Sequence, residues 1–352
     1  MQIDMHYYGT YALARAAGIG ADDALVIATA AQFVDDNDEG NFIAFSDGKC
    51  IASQATAHPT EDREHNFDVM DQRRVWVPFH FLPGGIGDTP AKRLRCLKDS
   101  QNAKSMVSKT LEIAKAKSSG WRERLGITAH VLADTYSHWG FAGISSPLNR
   151  VIGTSIRFDE VDPLLLNALD KKGLAFFAEF IPHGRNSKFI TEAESAVGET
   201  GGALGHGPVL MLPDTPFLEW SFTYESGETP PKRKNLDEFL AGCEALHRMF
   251  AEVGGGSRTF GDIEADVRDV LATKGAKTAR SEAWKAAAGK IFGGTIPDYT
   301  GLDWKEAIKN FDGGLTFDEA MEQPHIAFQK AASDHRDYVL TELLPAQGIY
   351  LA

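Results

Sequence analysis

The sequence predicts a mainly α fold, a multi-helix domain with long loops and few short strands. Apolar residues recur at helical spacing along most of the chain, from segment 6–19 to segment 316–344. Strand signals are sparse by comparison. The clearest is segment 40–56, where Ser46-Asp47-Gly48 predicts a turn between two short strands. We therefore expect a helical core.

The predicted helices carry recognisable start signals. Segment 22–36 has acidic residues in its first turn, as the helix dipole favours, and is apolar almost all round, which is typical of a buried helix. Residues 57–90 are expected to be irregular, and Thr316 or Asp318 is expected to cap the last helix. The predicted helices are 6–19, 22–36, 91–117, 121–139, 162–180, 235–253, 258–274, 278–291, 302–310 and 316–344.

A stretch rich in Gly and Pro interrupts this pattern at residues 184–234. Long ordered loops in compact proteins often carry function. We expect residues 1–234 to form a metal-binding helical core with inserted loops, and residues 235–352 to add helices that pack on it. A single domain over residues 1–352 is the alternative.

The composition limits the function classes. The chain has 352 residues, of which 43% are hydrophobic, so it can bury a sizeable core. Its formal net charge of -13 disfavours non-specific binding to nucleic acid. Cys50, Cys96 and Cys243 form no disulfide or CxxC zinc pattern. Because neither a signal peptide nor a membrane-spanning apolar run is found, we expect a cytoplasmic protein without a transmembrane segment, with signal-less export left open.

The most informative pattern is His130-x-x-x-Asp134-x-x-x-His138 in segment 121–139. On a helix, each step of four residues turns about 40° and rises about 6 Å, so the three side chains share one face. The two histidines lie roughly 12 Å apart along the axis, too far to bind one ion together. Asp134 can bridge two ions. Apolar neighbours indicate a buried helix, and buried Asp and His need partners that a metal supplies. Two ordinary histidines and a surface Asp are the alternative.

Further candidate ligands lie near the start of the chain. Asp35 and Asp36 end the buried second helix, where the helix dipole opposes negative charge, so a cation would stabilise whichever of them is a ligand. A solvated loop is the alternative. Asp4-x-His6 would project both side chains to one side of an extended backbone.

The Gly/Pro-rich stretch adds His206 and Asp214 as candidate ligands from a loop. Glycine on both sides of His206 permits close backbone approach, although an ordinary loop with incidental polar residues is the alternative. His80 lies between two phenylalanines and is either a core histidine or a ligand. His58 and His65 lie in a polar stretch typical of a surface, and the choice of ligand among these three histidines stays open.

A rival pattern is the Glu-x-x-His of di-iron bundles, which occurs at Glu244-x-x-His247 and Glu322-x-x-His325. About one such match is expected by chance in a chain with this many acidic residues. Pro324 lies inside the second match and spoils a helical ligand pair. Nucleotide-binding and serine-hydrolase motifs are absent.

The order of these candidates resembles the zinc-dependent phospholipase C family and the related fungal single-strand nucleases. The shared features are an early His, an Asp ending the second buried helix, HxxxD and a further His. Those proteins are mainly helical, hold three zinc ions with His and Asp ligands, and hydrolyse phosphodiesters. Four runs resemble more closely an uncharacterised bacterial family that has no established activity. They are His6-Tyr7-Tyr8-Gly9-Thr10-Tyr11, Phe33-Val34-Asp35-Asp36, Val77-Pro78-Phe79-His80-Phe81-Leu82-Pro83 and the run from His130 to His138.

The resemblance implies a fold of phospholipase C-like type and a set of ligands. Asp134 would be the bridge, His138 matches the next His at a shorter gap, and His80 matches another at a longer separation. His206 with Asp214 would stand for a late HxxxE or HxxxD pair. The implied ligands are His6, Asp35 or Asp36, His80, His130, Asp134, His138, His206 and Asp214.

One family ligand has no match in this sequence. The family uses the free amine of a processed N-terminal Trp, whereas this chain begins Met1-Gln2. We expect Asp4 to replace that ligand, or the third metal to be missing.

These observations predict a metal-dependent hydrolase of phosphoesters, acting on a small-molecule or lipid substrate rather than on nucleic acid. The imidazole-rich set favours two or three zinc ions, with manganese or iron as alternatives. Such ions polarise a phosphoryl oxygen and lower the pKa of a bridging water to about 7. Asp134 or Asp36 is expected to orient that water. The alternatives are a non-enzymatic interaction or toxin-associated protein with a structural metal, and a di-iron carboxylate oxidase.

Overall fold

The computed structural model describes residues 1–38, 40–59, 62–158 and 204–351. Helices dominate these ranges and the strands are short, which confirms the predicted mainly α class. The predicted helix 162–180 and the part of the Gly/Pro-rich stretch up to residue 203 lie outside the described residues. Among the described helices, none combines the length and the apolar character that crossing a membrane requires.

The α-helices range from single turns to a helix of 20 residues. Before residue 158 they are α1 Thr10–Ala16, α2 Ala21–Asp36, α3 Arg63–Phe67, α4 Val69–Arg74, α5 Trp76–Phe79, α6 Pro90–Arg93, α7 Gln101–Lys115 and α8 Trp121–Ser137. After residue 204 they are α9 Asn235–Gly254, α10 Glu264–Leu271, α11 Lys277–Ile291, α12 Gly301–Lys309, α13 Phe317–Ala320 and α14 Pro324–Tyr338. π-Helical turns adjoin α1 and α14, at Asp4–Gly9 and Val339–Leu343. Short 3₁₀ turns lie at Pro147–Asn149, Gly153–Ser155, Gly207–Val209, Leu212–Asp214, Phe260–Asp262 and Pro345–Gln347.

Two small antiparallel sheets accompany the helices. In the first, β1 Phe42–Ala44 pairs with β2 Cys50–Ala52, as predicted for segment 40–56. In the second, β4 Glu219–Ser221 lies between β3 Arg157–Phe158 and β5 Arg233–Lys234.

Residues 57–90 differ from the prediction of an irregular segment. They contain α3, α4 and α5. The side chains of Asp62 and Asp68 accept hydrogen bonds from backbone N–H groups at the starts of α3 and α4. These caps satisfy donors that a short helix leaves unpaired, so single turns form in a polar stretch.

The last predicted helix, 316–344, is divided in the structure. Thr316 caps α13, as predicted, and forms a capping box with Glu319. Pro324 begins α14. Because proline has no N–H to donate, it is tolerated in the first turn of a helix but not in its interior.

Helix α8 lies at the centre of the fold. Its residues from Glu123 to Ser137 are buried, and it packs against α2, α7, α9 and α14. The contact with α2 is close, because a Cβ atom at Gly126 would lie only 2.3 Å from the carbonyl oxygen of Ile27. Glycine at this position lets the middle of α2 pass close to the second turn of α8.

Candidate metal centre

The face of α8 with the HxxxDxxxH pattern is buried, and further donors surround it. His130, Asp134 and His138 are 0%, 1% and 4% exposed. The Oδ2 atom of Asp134 lies 3.2 Å from His130 Nε2 and 3.5 Å from His138 Nδ1. Asp134 therefore occupies the middle of this face. We use the name central cluster for the Met1 α-amine, His6, Asp35, His80, His130, Asp134, His138, His206 and Asp214.

Side-chain atoms of His130, His80 and Asp35 group together beside Asp134. His130 Nε2 lies 3.2 Å from His80 Nδ1 and 3.9 Å from Asp35 Oδ1. His80 Nδ1 lies 3.9 Å from Asp35 Oδ1 and 3.4 Å from Asp134 Oδ2. Ligands at about 2.0 Å from a tetrahedral zinc ion are about 3.3 Å apart. Asp35, His80 and His130 can therefore surround one ion, with Asp134 Oδ2 beside the two imidazoles.

A second group of donors forms where the Gly/Pro-rich loop reaches α8. His138 Nε2 lies 3.1 Å from Asp214 Oδ1, and His206 Nε2 lies 3.5 Å from Asp214 Oδ2. The backbone before His206 passes close to Phe81. A Cβ atom at Gly205, whose φ is +54°, would lie 2.3 Å from the Phe81 ring. The loop therefore brings both of its candidate ligands to His138.

The α-amine of Met1 lies between these two groups. Its nitrogen is 2.5 Å from Asp134 Oδ1 and 3.2 Å from both His138 Nε2 and Asp214 Oδ1. His6 Nε2 is also 3.2 Å from Asp134 Oδ1, and its ring stacks on His130 with centroids 3.8 Å apart. The amine, His6 and Asp134 thus form a third group of donors.

Backbone carbonyl groups fix four of the five imidazoles in the central cluster. The bonds are His130 Nδ1 to Ala31 O at 2.8 Å, His80 Nε2 to Thr56 O at 2.8 Å, His138 Nδ1 to His80 O at 2.9 Å and His206 Nδ1 to Leu210 O at 2.7 Å. A carbonyl oxygen only accepts, so each ring must donate from that nitrogen. In the neutral ring, the other nitrogen carries a lone pair. Metal-binding histidines are held in this way.

In the neutral tautomers, acceptor atoms of the central cluster face one another. His130 Nε2 and His80 Nδ1 are both acceptors in the neutral tautomers that their carbonyl bonds select, yet they lie 3.2 Å apart. Within the described ranges, Asp134 Oδ2 and both ring nitrogens of His6 are buried and have no hydrogen-bond partner. Buried acceptors gathered in this way are unfavourable unless a cation lies among them. The donor set therefore fits a metal.

Burial and charge set the protonation of the cluster. Burial lowers the pKa of His6 and of His206 to about 4, so both rings are neutral donors at neutral pH. Burial opposes the charge of the Met1 amine, but Asp134, Asp214 and Asp35 outweigh it and raise its pKa to about 11. The buried carboxylates thus stabilise a positive charge at the centre of the cluster.

One comparison with known proteins gives a family. Residues 1–343 match a model described as a family of unknown function, DUF6765. The chain belongs to the DUF6765 family. No match was found among curated proteins, and none among solved structures. Every residue of the central cluster lies within the region that the DUF6765 model matches.

Asp4, predicted as a ligand, is not part of the central cluster in this DUF6765 member. Its carboxylate pairs with Arg280. The prediction assumed extended backbone, in which Asp4 and His6 would point to one side, but Asp4–Gly9 is helical. Residues two apart on an α-helix are rotated by about 200°, and the wider π-turn leaves them on different sides too, so only His6 faces Asp134.

Of the pair Asp35 and Asp36, the structure brings Asp35 to the cluster. Asp36 instead accepts a hydrogen bond of 2.5 Å from the Tyr299 hydroxyl. Gln32 donates to both carboxylates, at 3.4 and 3.5 Å. Asp36 is therefore not placed beside Asp134, where the predicted role of orienting a water would need it.

Two features of the structure were not predicted from the sequence. The first is that the Met1 amine, rather than Asp4, lies beside Asp134. No side-chain pattern in the sequence marks a backbone amine. His58, expected at the surface, is 8% exposed and groups with Asp62 and His65, apart from the central cluster. Neither Glu-x-x-His pair joins a group of possible metal ligands among the described residues.

Proposed function

We propose that this chain is a metal-dependent hydrolase of phosphoesters and that phosphodiesters are its main substrates. The central cluster would hold two or three divalent ions. Five imidazoles among its donors favour zinc, since imidazole and carboxylate together suit zinc better than magnesium or calcium.

The observation that carries this proposal is the anchoring of the imidazoles. Carbonyl bonds turn the lone pairs of His80 and His130 toward Asp134 and Asp35, at separations suited to one ion. Without a bound ion, this arrangement of buried polar side chains is unfavourable, because it leaves buried acceptors unpaired. The proposed ligand sets are Asp35, His80, His130 and Asp134 for one ion, His138, His206 and Asp214 for a second, and His6, Asp134 and the Met1 amine for a third.

The shape of the cluster suits catalysis better than a closed structural site. Side chains at its base, including His6, His130 and Asp134, are at most 1% exposed. At its rim the side chains of Asp35 and His206 are 31% and 18% exposed. Structural zinc sites are closed by four protein ligands, whereas catalytic sites keep an open position. The exposed rim offers a substrate access to such a position.

Phosphoester chemistry follows from the resemblance to the zinc-dependent phospholipase C family and from the donors. Bound divalent ions polarise a phosphoryl oxygen and activate a water molecule. The chain itself holds the site rigid: Asp134 presents Oδ1 to His6 and the Met1 amine, and Oδ2 to His80 and His130. The net charge of -13 favours a small-molecule or lipid phosphodiester over nucleic acid.

Elemental analysis and a substrate panel test the proposal directly. Purified protein is expected to contain two or more moles of zinc or a similar metal per chain and to hydrolyse a chromogenic phosphodiester. A folded protein that binds no metal at any buffered zinc concentration would rule the proposal out. Metal without activity on any phosphoester, together with unfolding on chelation, would instead favour a structural metal in a non-enzymatic protein.

Asp134→Asn should have the largest effect of any single substitution. It removes charge from a carboxylate that two of the ligand sets share, so we expect activity to fall more than about 100-fold, beyond the roughly 10- to 100-fold that outer partners of a metal cost. The helical circular dichroism should persist. Asp36→Asn is the matched control, because Asp36 ends the same helix as Asp35 but bonds to Tyr299. Equal metal content and activity in the two variants would contradict the assignment.

A further inference from the structure

A second group of His and Asp side chains lies on the segment between β2 and α5. One donor atom from each of His58, Asp62 and His65 lies within 4.8 Å of the others. The rings of His58 and His65 stack, with centroids 4.9 Å apart and planes 18° apart. We use the name peripheral cluster for these three residues. None of them belongs to the central cluster.

His58 is the buried member of the peripheral cluster. Its side chain is only 4% exposed, and neither ring nitrogen makes a hydrogen bond within the described residues. Its Nε2 lies against Asp71 Oδ2. A carboxylate on one nitrogen of a metal-binding histidine orients the ring and leaves the other nitrogen for the ion. Because Asp71 pairs with Nε2, Nδ1 is the atom of this buried ring that lacks a partner among the described residues, and a buried polar atom without a partner is unfavourable.

Asp62 and His65 supply the outer side of the peripheral cluster. The Oδ1 atom of Asp62 accepts the backbone N–H of His65 at the start of α3, and its Oδ2 lies 2.7 Å from His65 Nδ1. Their side chains are 29% and 56% exposed. The helix cap therefore holds this carboxylate in place, while an ion can enter from solvent.

We propose that the peripheral cluster binds one further divalent transition-metal ion through His58, Asp62 and His65, with Asp71 as the outer partner of His58. Two imidazoles and one carboxylate suit zinc, and solvent can complete the coordination. This site is separate from the proposed hydrolase centre and does not depend on it.

Such an ion would fix a segment that supports the central cluster. Thr56, two residues before His58, accepts the hydrogen bond from His80 Nε2. Asn66, which follows His65, accepts a 3.1 Å bond from the Trp76 indole. The Trp76 ring lies 5.0 Å from the His80 ring. The peripheral ion would therefore act as a structural clamp on the residues that hold His80.

Zinc binding by the full-length protein tests the proposal. Wild type, His65→Gln and Asp62→Asn are equilibrated at a series of buffered free Zn²⁺ concentrations, and zinc per chain is measured after removal of excess. Each variant should bind one equivalent less than wild type, or bind it more than about 10-fold more weakly. Both should fold, since His65 is exposed and asparagine retains an oxygen that can cap α3.

His325→Gln is the matched control, because His325 is a half-buried histidine in the first turn of α14 that joins no group of possible ligands among the described residues. It should bind as much zinc as wild type. Unchanged zinc binding by both His65→Gln and Asp62→Asn would overturn the proposal. The outcome is a difference between variants, so it stands whether or not the central cluster proves to be a hydrolase site.

Discussion

The central and peripheral clusters use the same residue types but are held in different ways. In the central cluster, carbonyl groups of the fold anchor four of the five rings. Burial, aided by the Met1 amine and a neighbouring histidine, lowers the pKa of His6 and His206 to about 4. In the peripheral cluster, the bond to Asp62 raises the pKa of the exposed His65. His6 and His206 are therefore neutral donors at neutral pH, whereas His65 must lose a proton that Asp62 stabilises before it can bind an ion.

The difference between the two clusters shows which parts of the fold hold the candidate ligands in place. Asp35 and His130 lie on long helices that pack closely at Gly126, so their separation is set by the core. His65 lies on a helix of five residues, and Asp62 is the residue that caps its start. A core-built site is organised before the ion arrives, whereas a site on single turns is completed by the ion.

Residues added ahead of Met1 should distinguish the two clusters most strongly. An extension converts the α-amine into an amide and must pass through a space in which Met1 is 7% exposed. We expect loss of one metal equivalent and a fall in activity of more than about 10-fold, because an amide nitrogen is a poor ligand. Zinc analysis and phosphodiesterase assays of the extended chain measure both.

The same residues appended after Ala352 serve as the control and should leave metal and activity unchanged. Both extended proteins should still bind the zinc ion of the peripheral cluster. That ion is measured as the difference in zinc content between each protein with and without His65→Gln. Full metal content and full activity with the N-terminal extension would show that the amine is not a ligand.

Gly126→Ala tests whether helix packing sets the central cluster. The added Cβ would lie 2.3 Å from Ile27 O and 2.7 Å from the Ala30 Cβ, so α2 and α8 must separate. We expect a loss of about 1–3 kcal/mol in the free energy of unfolding and weaker binding of the ion between Asp35 and His130. Denaturant unfolding and zinc titration measure the two effects.

Gly289→Ala is the matched control, since Gly289 lies in α11 and a Cβ there meets nothing within 4 Å. It should stabilise the protein by about 0.5–1 kcal/mol, as alanine favours a helix. Unchanged stability in Gly126→Ala would mean that the helices adjust without cost and that the close approach does not position Asp35.

The sequence predicted those features of the site that depend on the periodicity of a helix. The face shared by His130, Asp134 and His138 follows from a spacing of four residues, and burial of α8 follows from its apolar neighbours. The choice between Asp35 and Asp36 could not be made in this way. Adjacent helical residues differ by about 100°, and α2 is apolar almost all round, so its sequence does not reveal which side faces α8.

Other parts of the site depend on contacts that no local pattern encodes. His206 and Asp214 lie on separate 3₁₀ turns joined through Leu210, whose φ is +52°, so no regular period relates them. His58 lies in a polar stretch, and its burial results from tertiary packing. The Met1 amine carries no side-chain signal.

The pH dependence of the unfolding free energy gives the smallest expected effect, and it tests one buried histidine. His335 is a buried histidine outside both clusters, and its Nε2 donates to Pro78 O at 3.0 Å. Burial, aided by Arg124, lowers its pKa to about 3, against about 6.5 when unfolded. Between these values the unfolded chain binds one more proton than the folded chain, so the stability from His335 is present above pH 6.5 and is lost as the pH falls.

His335→Gln should therefore reduce the slope of unfolding free energy against pH by about 1.4 kcal/mol per pH unit between pH 6 and 4. His65→Gln should change the slope in the opposite sense and by less, since the raised pKa of His65 adds stability that disappears as the pH rises. Denaturant unfolding at several pH values measures both slopes. Equal slopes in wild type and His335→Gln would show that burial does not keep this ring neutral, and the same argument would then fail for His6 and His206, whose pKa values are also lowered by burial.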